Sequence, residues 1–185
     1  GILHALQDFD VEFNHIVGVS GGSIVSSLFA AGMTPAEIKD IALNTNYNDF
    51  REFSLFKLIR NGGLSSGDRF EKWMDDLLGG KTFAELDYNL HIVATDVATG
   101  APVIFDKENT PDVKVSLAVR FSMSIPLVFS FKTFGDHVMV DGSILSEDAV
   151  HRDWAKDGTP VLCFRLKGDH ETNEVKIKGW FPIYK

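Results

Sequence analysis

A serine flanked by glycines is the first candidate for chemistry in this chain. Gly18, Ser20 and Gly22 satisfy the G-x-S-x-G pattern, in which a strand turns sharply into a helix with a serine at the apex. The flanks fit that geometry, because Ile16 and Val17 end an apolar run and apolar residues then recur at helical spacing. Glycine two residues before and after the serine removes side chains that would collide in so tight a turn. The pattern predicts a nucleophilic serine at position 20.

An aspartate far along the chain is the candidate base. A serine hydroxyl is a weak nucleophile until a base takes its proton. Val138 and Val140 alternate with their neighbours as in a half-buried strand, and Asp141 stands where that strand would end. An aspartate at a strand end points into the crevice where open α/β sheets bind ligands. The pair Asp141-Gly142 is also a common turn dipeptide, and in isolation it favours a simple turn.

Together, these motifs resemble the patatin-like phospholipase family, which combines a G-x-S-x-G elbow with a distant Asp-Gly pair and uses a Ser-Asp dyad. Residues 92–100 are similar to the family's central strand and its Thr-Asp-x-x-Thr-Gly turn. Residues 116–126 resemble the helix that precedes the aspartate strand, and residues 1–6 resemble the first helix. The motifs follow the family's order up to about Arg165.

The resemblance implies an α/β fold of patatin-like type, with three α/β/α layers and a mostly parallel central sheet, in one catalytic domain over residues 1–185. It implies a phospholipase A-type esterase in which Ser20 and Asp141 work through an acyl-enzyme, without a metal or an organic cofactor. The amide of Gly21, next to the nucleophile, would be one oxyanion donor. The glycines assigned to the elbow and the oxyanion site are Gly18, Gly21, Gly22 and Gly142.

The chain departs from the family pattern in two places. Ser143 follows Asp141-Gly142, where the family has glycine or alanine, and all three residues are small. The family's glycine-rich oxyanion loop, which precedes its first helix, has no counterpart in the 185 residues. We therefore expect the chain to be a fragment whose fold is incomplete at both ends.

Composition restricts the function classes. A hydrophobic content of 44% and a charged content of 24% are those of an ordinary globular protein. The net charge of −8 argues against a nucleic-acid partner, which requires clustered lysine and arginine. The predicted partner is a phospholipid or another fatty-acyl ester, with peripheral membrane contact. Cys163 is the single cysteine and favours a cytoplasmic location, although the sequence leaves secretion open.

Two alternative functions remain open at this stage. The order Ser, Asp, His of an α/β-hydrolase triad is satisfied by Ser20, Asp141 and either His151 or His170. That fold has several βα units ahead of its elbow, whereas one strand precedes Ser20 here. A glycine-rich turn at a helix start also binds phosphate, as in a non-catalytic lipid- or phosphate-binding module. No lysine follows the glycines as a P-loop requires, and no histidine pair has the spacing of a zinc site.

Further segments carry local predictions. Phe50, Phe53 and Phe56 recur every third residue, which favours a helix that packs on the core or dips into lipid. Apolar residues around Pro126 would line an acyl-chain pocket or belong to the core. Asp96 would be a second acid near the site or the cap of a turn, and the Asp-x-x-Thr-Gly pattern favours the cap.

Helices are predicted to begin at two capping boxes, over residues 34–37 and 68–71, and a further helix over residues 147–156. The apolar run within residues 160–165 predicts a buried strand that contains Cys163.

Overall fold

A computed structural model describes residues 1–46, 66–124, 132–135, 137–141 and 151–165 of the chain. The predictions that fall outside these ranges concern the aromatic helix near Phe53, the apolar segment around Pro126, Gly142, Ser143 and His170.

Helices and strands are interspersed along the described ranges, as in an α/β fold. The helices are α1 Ile2–Asp8, α2 Gly21–Ala30, α3 Pro35–Asn44, α4 Ser66–Leu78 and α5 Val115–Ser122. The strands are β1 His15–Val19, β2 Asn89–Asp96, β3 Pro102–Phe105, β4 Lys132–Phe134 and β5 His137–Asp141.

The strand β2 is the centre of the sheet. β1 runs parallel to it, β3 and β5 run antiparallel to it, and β4 pairs antiparallel with β5. The register places Val19 opposite Val93, and Asp141 opposite Ala94, the next residue of β2. β3 pairs with both of these β2 residues along the other edge. Since a strand has two edges, β1 and β5 must share one of them, and their C-terminal ends meet.

The α/β class is therefore confirmed, while the parallel character is more limited than expected. Among the strands that the structure describes, parallel pairing is confined to β1 and β2. The antiparallel position of β5 brings its C-terminal end, where Asp141 lies, towards the C-terminal end of β1. Pro102 begins β3, which pairs with β2 alone among the described strands, and a proline is tolerated at such an edge position.

The core is formed by apolar side chains that recur at helical spacing and cover the sheet. On α4 these lie four residues apart, so they share one face of the helix, which packs against α5. The ring of Phe121 on α5 stacks on that of Phe105 with their centroids 5.5 Å apart, so Phe121 belongs to the core. The core residues that are at most 2% exposed include Phe70, Met74, Leu78, Leu90, Ile92, Phe105, Val115, Ala118, Val119 and Phe121.

Of the two helix starts predicted from capping boxes, that of α3 is confirmed and that of α4 is wrong. The capping box at the start of α3 is confirmed, because the Thr34 hydroxyl accepts from the Glu37 amide and the Glu37 carboxylate accepts from the Thr34 amide. The start predicted for α4 is wrong, because Ser66 is already helical and Asp68 lies within the first turn instead of at the N-cap. A carboxylate there still interacts favourably with the helix dipole.

Two predictions for the C-terminal part are wrong. Residues 151–156 form a short 3-10 turn and bends, so the α-helix predicted over 147–156 does not extend through them. Residues 160–165 form no strand, and Cys163 is exposed. An apolar run specifies a strand only where a sheet edge accepts it, and Leu162 and Phe164 remain 64% and 52% exposed.

Two histidines stack at the start of β1 and β2, at the opposite end of β1 from Ser20. Nδ1 of His15 lies 3.1 Å from Nε2 of His91, and Nδ1 of His91 lies 3.2 Å from an oxygen of Asp106. The ring of Trp154 packs on His91 with the centroids 4.8 Å apart. Burial lowers the pKa of His91, and the hydrogen bond and charge of Asp106 oppose that shift. The positive charges of His15 and Lys156 lower it further.

We expect the free energy of unfolding to fall as the pH drops from 7.5 to 5.5. The pKa of His91 is lower in the folded than in the unfolded chain. Neutral His91 therefore contributes to the free energy of unfolding fully above about pH 6.5, the unfolded pKa, and this contribution is lost as the pH falls below that value. His91→Gln should flatten this dependence in urea unfolding. His151→Gln, at an exposed histidine, is the matched control and should keep the wild-type slope. If the free energy of unfolding of His91→Gln depends on pH as steeply as that of the wild type, His91 is not the group responsible.

Candidate active site

Ser20 lies at the junction between β1 and α2 in a conformation that few non-glycine residues adopt. Its φ is 51° and its ψ is −131°, and positive φ places a side chain close to its own backbone. Such strain persists only where the surrounding structure holds it, and it is common at active sites. The predicted sharp turn with the serine at its apex is confirmed.

The hydroxyl of Ser20 does not cap its own helix. Ser20 is the N-cap residue of α2, a position where a serine side chain ordinarily accepts from an amide of the first turn. Here the Ser20 Oγ donates to Oδ2 of Asp141 at 2.6 Å, across 121 residues of sequence. That distance is typical of a hydroxyl bound to a carboxylate.

Asp141 is the last residue of β5 and is 1% exposed. Its amide donates to the carbonyl of Ser124 at 2.9 Å, in addition to the pairing with Ala94 of β2. The strand-end position predicted for Asp141 is therefore found, and its carboxylate meets the Ser20 hydroxyl where the ends of β1 and β5 face each other.

The two glycines of the G-x-S-x-G pattern differ in their surroundings. A Cβ at Gly18 would lie 2.1 Å from Oγ of Ser26 and 2.6 Å from Cα of Ser23, so α2 packs directly on the backbone of β1. A Cβ at Gly22 or Gly21 would meet no heavy atom within 4 Å in the described part of the chain. The expected collision is confirmed at Gly18 and is not found at Gly22.

The first turn of α2 is exposed to solvent at Gly21 and Gly22. No side chain of the N-cap residue covers the amides of this turn. The amides at a helix start and the positive end of the helix dipole favour a negative charge next to Ser20.

Two serines at the end of α5 also contact this site, and sequence reasoning missed them. Oγ of Ser122 accepts from the Ser20 amide at 2.9 Å, and the Ser124 carbonyl accepts from the Asp141 amide at 2.9 Å. Both side chains are at most 1% exposed. The sequence contained one weak indication of their role: Ser122 and Ser124 stand in a largely apolar segment, and buried hydroxyl groups need specific hydrogen-bond partners.

A buried arginine lies beside these serines. Nη1 of Arg120 donates to Oγ of Ser124 at 2.6 Å, and Arg120 is 1% exposed. A Cβ at Gly67 on α4 would come within 2.3 Å of the guanidinium, so that glycine leaves the space the arginine occupies. Burial lowers the pKa of Arg120, and the carboxylates of Asp68 and Glu71 oppose that shift.

The other titratable candidates lie elsewhere. Asp96 caps a turn, as predicted, because its carboxylate accepts from the Ala98 amide at 3.2 Å and the Thr99 hydroxyl at 2.9 Å. His151 is exposed. A triad histidine would stand between the serine and the aspartate, and the direct 2.6 Å bond between Ser20 and Asp141 leaves no room for a ring there.

Neither a metal centre nor a membrane span is found in the described ranges. No group of three or more His, Cys, Asp or Glu side chains there has an arrangement that could hold a metal ion. No helix within those ranges is long and apolar enough to cross a bilayer.

Comparison with known proteins identifies several similar chains. The family described as Patatin-like phospholipase matches residues 1–152. The uncharacterized protein YqhO of Bacillus subtilis is 29% identical over 100% of this chain and 72% of its own length. The probable lipid hydrolase 463L of Invertebrate iridescent virus 6 is 27% identical over 77% of this chain and 55% of its own length.

A solved structure with a similar fold is VipD from Legionella pneumophila, with a TM-score of 0.59 and 14% identity. The match covers 78% of this chain and 43% of VipD. At this identity the likeness concerns the fold alone.

We expect Gly18→Ala to destabilise the protein by about 1–3 kcal/mol, because the new methyl group would push α2 away from β1. Gly22→Ala is the matched control in the same motif and should change the free energy of unfolding by no more than about 0.5 kcal/mol, since its Cβ meets open space. Urea unfolding followed by circular dichroism measures both. Equal free energies of unfolding for the two variants would show that α2 does not pack closely against Gly18.

Proposed function

Since this chain belongs to the patatin-like phospholipase family, we propose that it hydrolyses fatty-acyl esters, phospholipids among them, through Ser20 and Asp141. The observation that carries this proposal is the 2.6 Å hydrogen bond from the Ser20 hydroxyl to the Asp141 carboxylate. The similarity to the probable lipid hydrolase 463L supports a lipid substrate.

In the proposed first step, Asp141 accepts the hydroxyl proton while the Ser20 Oγ attacks the carbonyl carbon of the ester. The negative charge that develops on the carbonyl oxygen would be stabilised at the first turn of α2, where the Gly21 amide is the nearest candidate donor. The tetrahedral intermediate then collapses, the alcohol leaves with the proton from Asp141, and Ser20 carries the acyl group.

In the second step, the Asp141 carboxylate takes a proton from water, and the hydroxide attacks the acyl-enzyme. Collapse of the second tetrahedral intermediate releases the fatty acid and returns the proton to Ser20. Each step uses the same short proton path, and Asp141 is shielded from bulk water by the strands on which it lies. Contact with a lipid surface is part of the proposal, because phospholipid substrates reside in membranes.

We expect Ser20→Ala to abolish labelling by a fluorophosphonate probe and to lower ester hydrolysis roughly 10⁶-fold, as loss of a catalytic serine does. Ser27→Ala is the matched control, since Ser27 lies on the same helix and donates within it, to the Ser23 carbonyl at 2.6 Å. It should keep both labelling and hydrolysis. Labelling that persists in Ser20→Ala would overturn the nucleophile assignment, and phospholipid binding without any hydrolysis would favour a non-catalytic module.

We expect Asp141→Asn to lower kcat about 10⁴-fold, because an amide cannot accept the serine proton. His151→Ala should retain kcat to within about twofold, since its side chain is exposed and the dyad needs no histidine. His170→Ala tests the same point at the second histidine of the alternative triad. If either histidine variant is as inactive as Asp141→Asn on a nitrophenyl ester, a triad replaces the dyad.

A further inference from the structure

We infer that the C-terminal end of α5, from Ser122 to Ser124 just beyond the helix, aligns the two residues of the proposed dyad, with Ser122 as a positioning residue for Ser20. The inference rests on the proposed function. It concerns Ser122 and Ser124, whose oxygen atoms accept from the backbone amides of Ser20 and Asp141.

The Ser122 hydroxyl links the elbow to the centre of the sheet. It accepts from the Ser20 amide at 2.9 Å and donates to the Val93 carbonyl at 2.7 Å. Val93 is the β2 residue opposite Val19, which immediately precedes Ser20. Ser122 is fully buried, so water cannot replace the hydroxyl in this bridge.

This bridge matters because of the backbone conformation at Ser20. An N-cap residue with a φ of 51° directs its amide away from the helix that it begins, where no intrahelical carbonyl accepts from it. The Ser122 hydroxyl supplies that acceptor. A buried amide without a partner is costly, so loss of the hydroxyl would allow Ser20 to relax towards ordinary φ values and rotate Oγ away from Asp141.

The segment from Ser122 to Ser124 also binds the backbone of Asp141. The Ser124 carbonyl accepts from the Asp141 amide at 2.9 Å, and the Ser124 side chain is held in turn by Arg120. Oγ of Ser124 also donates to the Arg120 carbonyl at 2.8 Å. Since Ser122 and Ser124 are separated by a single residue, this short segment sets the relative position of the Ser20 and Asp141 backbones.

A positioning role predicts a specific kinetic change. Misplacement of a nucleophile by about 1 Å costs on the order of 100-fold in rate, whereas binding of the substrate is unaffected. Ser122→Ala should therefore lower kcat about 10- to 100-fold and leave KM unchanged to within about twofold. The rate of fluorophosphonate labelling at Ser20 should fall by the same factor.

The experiment compares Ser122→Ala, Ser122→Thr and Ser122→Val with the wild type on a soluble nitrophenyl ester. Threonine and valine have nearly the same shape and differ in the hydroxyl, so their comparison isolates the hydrogen bond from any steric effect. We expect Thr to exceed Val in kcat by at least about 10-fold. Ser116→Ala is the matched control, because Ser116 is also buried on α5 but donates to Asp75, and its kcat should equal that of the wild type.

Three outcomes would overturn the inference. If Ser122→Ala and Ser122→Val retain wild-type kcat while Ser20 is still labelled, the positioning role is wrong and the proposed function stands. If Ser122→Thr is no more active than Ser122→Val, the hydroxyl is not the reason for any loss. If the wild type neither labels at Ser20 nor hydrolyses the ester, the proposed function fails and the inference fails with it.

Discussion

One edge of β2 is shared by two strands that approach it from opposite directions, and the site depends on this constraint. β1 occupies the edge as far as Val93, and β5 occupies it from Ala94 onwards. β1 cannot continue past Val19 without displacing Asp141, so the chain must leave the sheet at Ser20. The sharp turn at the serine and the proximity of the aspartate therefore have the same physical origin.

The helix that follows the turn can lie against the sheet because the residues where it crosses β1 are small. Gly18 has no side chain, and Ser23 and Ser26 contact the space that its Cβ would fill. Close packing directs the start of α2 to the point where β1 ends. The positive end of the helix dipole is thereby brought to the serine, where negative charge would develop in the proposed reaction.

The site is a polar network within an apolar core, and its polar groups form a connected set of hydrogen bonds. The chain of contacts runs from Asp141 through Ser20 to Ser122, and from Asp141 through Ser124 to Arg120. Buried hydrogen bonds of this kind are strong because the local dielectric is low, and each partner is costly to remove. The network therefore stabilises one arrangement of the dyad in preference to others.

The sequence by itself determined the local features: the serine between its glycines, the capped start of α3 and the aspartate at the end of an alternating strand. Each of these depends on residues within a few positions of one another, whose spacing is visible in the chain. Only the tertiary structure decided that β5 runs antiparallel to β2, that Ser122 binds Ser20 across 102 residues, and that residues 160–165 form no strand. Such contacts join distant segments, and they depend on which sheet edge is free and which polar groups become buried together, so no local spacing records them.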